Sequence, residues 1–421
     1  FNALDENAQG QFPGQTYAQT LAKGGINYRD YIGTGNNRHA QNQWAPRLGF
    51  SYDLFADEEH VIHGGAGRSY DRNLFDYLQL EQTKSALPYQ EIFFNIPGRG
   101  CTVGPNTSCV AWDPAYLNGL ENLQALVAGS NKGQEVDMLN NDLKAPYSDQ
   151  FSIGMSNKLG DWNTDATITR VLSYDGFAFT LGNRYPDGSF FQNGTQPWSN
   201  GIPGFGSMII GNNGIRTRTT QVLLSADKPY TRESGWSANF AYTYSRAKQN
   251  RDVKEHYSFD EPTIDAYPFI TSNAVSKHRF VATGSLDGPW GFSFSAKLTL
   301  ATPLPWNGNY GYGSIFPTGE GARPAAFTPP GSKFLVGGKI WGYRDIDVQA
   351  TKDFLINEND QTKFYIRFDI LNVFNWKNLT DYTTNFGQNG VPAMGTPVVF
   401  NKTGNIQFVP RTARFTAGFK F

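Results

Sequence analysis

Long apolar runs and a strong excess of charge are both missing from this 421-residue sequence. No stretch approaches the ~18 consecutive apolar residues that a membrane-spanning helix needs, so such a helix is excluded. A net charge of −1 supplies neither the basic surface that nucleic acid requires nor an acidic tail. The P-loop, GxSxG, HExxH and CxxC motifs are absent as well. We therefore predict a protein that is not an enzyme, with no catalytic residue, no cofactor and no nucleic-acid partner.

Cysteine and histidine are scarce, with two and five residues respectively. His60 and His63 are spaced i,i+3, which on a strand directs them to opposite faces, so we predict no shared metal ion. Cys101 and Cys109 lie in the short stretch CTVGPNTSC. Their spacing is compatible with a local disulfide formed in an oxidising compartment, and two free thiols are the alternative.

Alternation of apolar and polar residues is the pattern that dominates the rest of the chain, and the C-terminal RTARFTAGFKF shows it most clearly. Its phenylalanines fall on one parity, and its arginines, threonines and lysine fall on the other. Because a β-strand directs alternate side chains to opposite faces, this segment predicts a strand with one apolar and one polar face. Its length fits a tilted membrane-crossing strand of roughly 9–11 residues. An edge strand of a soluble sandwich is the alternative for this segment taken alone.

Connection lengths decide between these alternatives. Alternation predicts eleven strands between Trp44 and Phe421, joined by connections that are in turn short, of roughly 2–9 residues, and long, of roughly 25–75 residues. The long segments cover about 72–145, 176–214, 248–275, 303–340 and 376–410. In an up-and-down sheet every second connection lies at the same end, and outer-membrane barrels have short periplasmic turns and long extracellular loops. Soluble sandwiches and propellers do not sort their loops in this way.

The predicted fold is therefore an all-β, antiparallel, up-and-down transmembrane β-barrel with about 11–12 strands in this chain. Residues 1–43 are expected to form a loop or the end of a preceding strand, and residues 44–421 the C-terminal portion of the barrel. Since single-chain bacterial barrels normally have an even number of strands, an odd count indicates a missed strand or a larger barrel. The last strand is expected to run down to the periplasmic side. A short helix is expected near Pro114 in the first long segment.

One parity of the predicted strands supplies a polar lining for the barrel interior. Even eleven strands leave a lumen wider than side chains can fill. The charges on this parity are of both signs, which favours internal ion pairing and contact with a plug over simple ion selectivity. The residues predicted to face the lumen are Arg47, Asp53, Lys297, Asp345, Asp347, Arg367, Asp369 and Arg414.

Three segments carry a resemblance to a known family. They are NQWAPRLGFSYDLF at 42–55 followed by VIHGGAGRSYDR at 61–72, YIRFDILNVFNWKN at 365–378, and the terminal ARFTAGFKF. Together they resemble Oar-like TonB-dependent outer-membrane receptors. The resemblance implies a 22-stranded barrel with an N-terminal plug, of which this chain is the C-terminal half. No signal peptide, plug or TonB box is recognisable in the sequence, so coupling to TonB is implied by the resemblance alone.

A terminal phenylalanine resembles the assembly signal of outer-membrane proteins, here carried by Phe415, Phe419 and Phe421. The function implied is a TonB-dependent receptor and transporter, in a Gram-negative-type outer membrane, for a bulky substrate such as a peptide, a carbohydrate or a metal chelate. The alternative is a surface protein whose loops mediate adhesion, surface-layer contact or protein export. Expected partners are outer-membrane lipid and lipopolysaccharide, the barrel-assembly machinery, the TonB complex, and a surface protein or lipoprotein.

Overall fold

The computed structural model describes most of the predicted strands and part of the long connections. Residues 1–29 and 31–40, most of the predicted N-terminal segment, lie outside the described part, as does Phe421. The described residues are 30, 41–72, 79–81, 83–84, 92–96, 101–103, 109–129, 134–181, 205–251, 257–258, 264–304, 306–310, 323–327, 342–357, 362–378, 382–383, 399–400 and 410–420.

Eleven antiparallel strands of the described chain follow one another in a single sheet, in the order in which they occur in the sequence. They are β1 Arg47–Asp53, β2 His60–Tyr70, β3 Tyr147–Leu159, β4 Trp162–Leu181, β5 Phe205–Lys228, β6 Trp236–Gln249, β7 His278–Asp287, β8 Phe292–Ala301, β9 Tyr343–Asn357, β10 Thr362–Leu371 and β11 Thr412–Lys420. This confirms the antiparallel up-and-down arrangement. Within the described residues β1 and β11 each pair on one side only, as expected for part of a barrel.

Local turn chemistry explains the tightness of the short connections. Gly160 joins β3 to β4 with a φ of +62°, and Gly235 precedes β6 with a φ of +67°, both in the left-handed region that glycine adopts readily. In the turn after β1, the Asp53 carboxylate accepts the backbone N–H of Glu58 at 2.8 Å. Such side-chain bonds satisfy turn amides that no strand pairs.

Strand register gives the sheet one apolar and one polar face. Residues directly opposite in neighbouring strands share a face, and side chains alternate along each strand. On the apolar face, many large side chains remain more than a third exposed, which is the property of a surface that lipid covers. They include Leu48, Phe50, Phe151, Ile153, Ile168, Leu224, Phe240, Leu286, Phe294, Phe368, Phe415 and Phe419.

Aromatic clusters mark both ends of the apolar face. At the short-turn end, the ring of Trp162 lies 6.1 Å from that of Trp236 and 6.0 Å from that of Phe240. At the long-connection end, Tyr147 contacts Tyr70 at 5.8 Å and Tyr174 at 5.2 Å. Aromatic girdles of this kind flank the apolar band of transmembrane barrels.

Two strands extend well beyond the predicted ends. The segment 176–214 was predicted to be a loop, yet β4 continues to Leu181 and β5 begins at Phe205. Residues 177–181 are all buried, so both faces of β4 are covered there. A strand that is buried on both faces shows no alternation, which is why the sequence pattern ends too early.

The long connections carry structure of their own. The helix expected near Pro114 is present as a 3-10 turn, Pro114–Leu117, followed by α1, Leu120–Gly129. Short strand pairs occur at Trp306–Tyr310 with Arg323–Phe327, and at Tyr382–Thr383 with Val399–Phe400. None of the helices in the described residues is long and apolar enough to span a membrane.

Candidate functional site

All eight residues predicted to line a lumen lie on the polar face. The register connects the first strand to the ninth through residues that lie directly opposite one another: Asp53, Val61, Ser156, Asp165, Ser225, Ala241, Val281, Thr299 and Asp345. Arg47 shares the parity of Asp53, and Lys297 lies opposite Asp347. Asp369 lies opposite both Gln349 and Arg414, and Arg367 shares its parity. That this face borders a lumen stays a prediction.

Asp369 is the centre of a polar network on this face. Its residue surface is 4% exposed. Gln349 Nε2 donates to its Oδ1 at 2.8 Å, and Arg414 Nε donates to its Oδ2 at 3.0 Å. Arg367 Nε lies 3.3 Å from the same Oδ2. A buried carboxylate that accepts charge-assisted hydrogen bonds is held firmly, so this network joins β9, β10 and β11.

The other residues predicted to face the lumen make fewer side-chain contacts than Asp369. Asp347 accepts the backbone N–H of Asn372 at 3.0 Å, and Asp345 accepts the hydroxyl of Tyr343 at 3.1 Å. Asp53 serves the turn after β1, as described above, and so contributes to the rim of the sheet. Lys297 and Arg47 differ in their surroundings: Lys297 faces Asp347 across the β8–β9 register, whereas Arg47 lies exposed on the edge strand.

A second network on the polar face was not predicted. His63 Nε2 lies 2.8 Å from Asp165 Oδ2, and the same oxygen accepts a hydrogen bond from Ser156 at 2.8 Å. Thr167 donates to the other oxygen at 2.6 Å. The sequence places His63 on a strand but gives no sign of Asp165, which is 102 residues away. Only the pairing of β2 with β3 and of β3 with β4 brings these side chains together.

A groove of about 610 Å³ follows the polar face across β5 to β10. Its lining combines small hydroxyl side chains with charged ones, so it offers both space and hydrogen-bonding groups to a polar surface. The lining includes Asp227, Asn239, Ser285, Lys297, Asp347 and Asp369. The arrangement can bind and orient polar groups, and no described group of three or more His, Cys, Asp or Glu side chains could hold a metal ion.

The predicted disulfide is present in the first long connection. Cys101 and Cys109 are bonded, with their Cα atoms 5.7 Å apart. Beside them Phe93–Asn95 pairs with Cys109–Ala111, and the Phe94 ring contacts the rings of Trp112 and Tyr116 at 5.3 and 5.2 Å. The disulfide therefore fixes the base of a small aromatic unit in this connection.

A loop cap packs on the extended ends of β4 and β5. We use this name for Gln134–Leu139 and the residues 140–145 that follow. Gln134–Leu139 pairs in parallel with the start of β5, and a core of Leu139, Leu143, Phe177, Phe179 and Ile209 lies between them. Asn213 tightens this contact, because it donates to the carbonyl of Lys144 at 3.0 Å and accepts the Lys144 N–H at 2.6 Å.

Asp137 is the most unusual group in the cap. It is 1% exposed, and its Oδ2 has no hydrogen-bond partner. Burial raises its pKa to about 7, and the neighbouring Glu135 adds to the rise. The salt bridge from Lys84 to Glu135, at 2.6 Å, offsets only part of the negative potential. The cap therefore holds a carboxyl group that changes charge near neutral pH.

Comparison with known protein families identifies the sheet. Residues 2–299 match the family described as the outer membrane beta barrel domain. The chain belongs to this family. Membership agrees with an apolar face bounded by aromatic girdles, and it locates the chain in an outer membrane. No curated protein is similar enough in sequence to match the chain.

The solved structure of an outer-membrane transporter shows the same fold. The outer membrane transporter YddB from Escherichia coli aligns with a TM-score of 0.52 and 14% identity, over 89% of this chain and 40% of that one. The ferric enterobactin receptor PfeA and the pyoverdine receptor FpvA, both from Pseudomonas aeruginosa, align with TM-scores of 0.44 and 0.43 and identities of 12% and 11%. They cover 90% of this chain and 40% and 36% of theirs. The alignment with YddB confirms the outer-membrane barrel fold, and the chain spans 40% of the length of YddB.

Proposed function

We propose that this chain is the C-terminal half of the barrel of a TonB-dependent outer-membrane transporter for a bulky substrate. The observation that carries the proposal is the continuous polar face, which crosses all eleven strands behind a lipid-facing apolar surface. A barrel about twice this size encloses a lumen that side chains cannot fill, so passage through it needs a plug as a gate. YddB, whose fold this chain shares, is itself an outer membrane transporter.

In this proposal the long connections lie outside the cell and the C-terminus lies at the periplasmic side. The long connections capture the substrate, which is a peptide, a carbohydrate or a metal chelate. The paired charges around Asp369 and Asp165 keep the wall rigid and hydrophilic, and a plug outside the described residues docks against that wall. TonB and the barrel-assembly machinery are the protein partners, and residues 44–421 form the barrel portion.

Uptake tests this function. A deletion strain receives peptides, oligosaccharides and metal chelates in turn as limiting nutrients, in cells with and without functional TonB. We expect the deletion to reduce growth and uptake with one of these nutrient classes. Loss of TonB alone should cause a defect of the same size, and loss of both proteins should cause no further defect. Normal uptake of every bulky nutrient would overturn the proposal.

The folded first connection favours a second candidate, a surface protein that binds a partner through its loops. A disulfide, an aromatic unit and a cap with its own core are more structure than passive loops require. In that case deletion of residues 92–112 abolishes cell-surface binding and leaves nutrient uptake unchanged. Loss of uptake with the same deletion supports the transporter instead.

A further inference from the structure

Four basic side chains lie together on the apolar face, at its long-connection end. Arg170 on β4 and Arg246 on β6 both lie opposite Thr220 of β5, and Arg218 on β5 lies opposite Lys248 on β6. All four are exposed. We call Arg170, Arg218, Arg246 and Lys248 the basic cluster. A group of charges on the lipid-facing side of a barrel is unfavourable inside the hydrocarbon. The position of the basic cluster along the membrane normal therefore decides whether its charges lie in hydrocarbon or can reach the headgroups.

The basic cluster lies high on the lipid-facing band, just below the upper aromatic cluster. On β4, eight residues separate Trp162 of the lower aromatic cluster from Arg170, which is about 26 Å along a strand at ~3.3 Å per residue. A tilt of about 40° reduces this to roughly 20 Å perpendicular to the membrane. On β5, ten residues separate Lys228 from Arg218, which gives roughly 25 Å by the same estimate. Tyr174 of the upper aromatic cluster is four residues beyond Arg170 on the same strand. The basic cluster therefore lies near the upper end of the apolar band, from which long basic side chains extend to the headgroups.

Three other cations on the apolar face are neutralised or capped by the protein itself. Arg68 pairs with Asp149 at 2.7 Å, and Arg216 pairs with Asp265 at 2.6 Å. Lys228 is 4% exposed and donates to Ser234 Oγ at 2.9 Å. Each of these three cations has a partner within the protein, so none of them needs an external anion.

The four members of the basic cluster differ in this respect. In the part of the chain that the structure describes, none of them has a carboxylate partner. Arg170 donates to Thr220 Oγ1 at 2.5 Å, and the guanidinium of Arg218 lies 4.1 Å from the centre of the Phe269 ring, so both are positioned by neutral groups. Arg218 and Lys248 face each other directly, and like charges at opposed positions of a sheet are destabilising. A bound anion would remove that repulsion.

We propose that the basic cluster binds the phosphate groups of a lipid headgroup in the outer leaflet. Guanidinium groups bind phosphate through paired hydrogen bonds, and lysine adds a compact charge. Cations near the upper end of the hydrocarbon extend their long side chains to the headgroup phosphates, while the apolar side chains below them contact the acyl chains. Assignment to the outer leaflet rests on the proposed orientation, with the long connections outside.

Lipid binding by the purified full-length protein tests the proposal. Affinity in detergent is measured for diphosphoryl lipid A, for lipid A with its phosphates removed, and for inorganic phosphate. The variant is Arg218→Gln with Lys248→Gln. We expect it to bind diphosphoryl lipid A about thirtyfold more weakly, because each basic side chain near an anionic surface contributes roughly a factor of five. Dephosphorylated lipid A should bind both proteins equally weakly.

Lys158→Gln with Arg232→Gln is the matched control, since it removes the same charge from exposed positions at the short-turn end. We expect no more than a twofold effect from it. Arg170→Gln with Arg246→Gln repeats the test if the first variant fails to fold. Equal affinity of variant and parent, equal binding of dephosphorylated lipid A, or displacement of lipid A by millimolar inorganic phosphate would each overturn the proposal. Because binding in detergent does not depend on orientation, its failure is distinguishable from that of the proposed topology.

Discussion

Arg414 Nε donates to Asp369 Oδ2 at 3.0 Å and so joins the last two strands across the polar face. Arg367 lies against the same oxygen, and the carboxylate is almost fully buried. The final strand is an edge strand in the described chain. Within the described residues this bond and the ion pair of Lys420 with Asp353 hold it through side chains. Fixing β11 to β10 fixes the edge at which a larger barrel would close.

Asp369→Ala should destabilise the folded barrel by about 2 kcal/mol. The substitution leaves two guanidinium groups without their carboxylate, and breaking a buried pair costs more than breaking an exposed one. The free energy of unfolding in urea, with refolding into detergent, measures the loss. Lys420→Ala is the control, because its pair with the exposed Asp353, at 2.9 Å, should contribute less than about 1 kcal/mol. Equal losses in both variants would contradict the role given to Asp369.

Opening of the loop cap should depend on pH through Asp137. Its pKa is raised from 3.8 to about 7. Between these pH values the Asp137 carboxyl group is therefore protonated in the closed cap and ionised in the open cap. The contribution to stability is therefore complete below pH 4 and is lost as the pH rises through 7. At ~1.4 kcal/mol per unit, the step from pH 5.5 to 8 should weaken amide protection of Gln134–Leu139 by about 2 kcal/mol, or roughly thirtyfold.

Hydrogen exchange at the two pH values, corrected for intrinsic rates, measures this change. Asp137→Asn keeps the shape of the side chain and removes its charge, so the variant should show the same protection at both. The β7–β8 amides, which are remote from the cap, serve as the internal reference. A pH-dependent cap in Asp137→Asn would assign the effect to another group.

Assembly into the outer membrane should depend on the terminal phenylalanine. Phe415 and Phe419 are 65% and 58% exposed on the apolar face of β11, and Phe421 continues their parity. Phe421→Asp should reduce the yield of heat-modifiable barrel in outer-membrane fractions at least several-fold. Lys420→Gln, one position away and on the polar face, should have little effect. A normal yield from Phe421→Asp would refute the assembly role.

Alternation predicted the eleven strands because one face of each strand meets lipid and the other meets polar groups. It failed where that asymmetry ends. Residues 177–181 of β4 are buried on both faces, and the segment Gln134–Leu139 is a short parallel strand within the loop cap. Neither environment leaves a period of two in the sequence, so the pattern could not distinguish these strands from loops.

Partners that are distant in sequence were also beyond prediction. The asparagines of the segment YIRFDILNVFNWKN were informative only as part of a resemblance, and the structure gives them a physical role. Asn378 donates to the carbonyl of Arg344 and accepts its N–H, both at 2.9 Å. Asn375 accepts the N–H of Arg411 at 3.0 Å and thus connects the end of β10 to the start of β11. The sequence shows the residue types, but only the fold supplies the backbone groups that they bind.

Cysteine accessibility along β6 tests the central claim most directly. Single cysteines replace Asn239, Ala241 and Thr243 on the polar face and Phe240, Tyr242 and Tyr244 on the apolar face of the full-length protein in outer membranes. A water-soluble maleimide should label the three odd positions and leave the three even positions unlabelled until detergent removes the lipid. Labelling of the even positions in intact membranes, or uniform labelling of all six, would contradict a barrel wall with a hydrated interior.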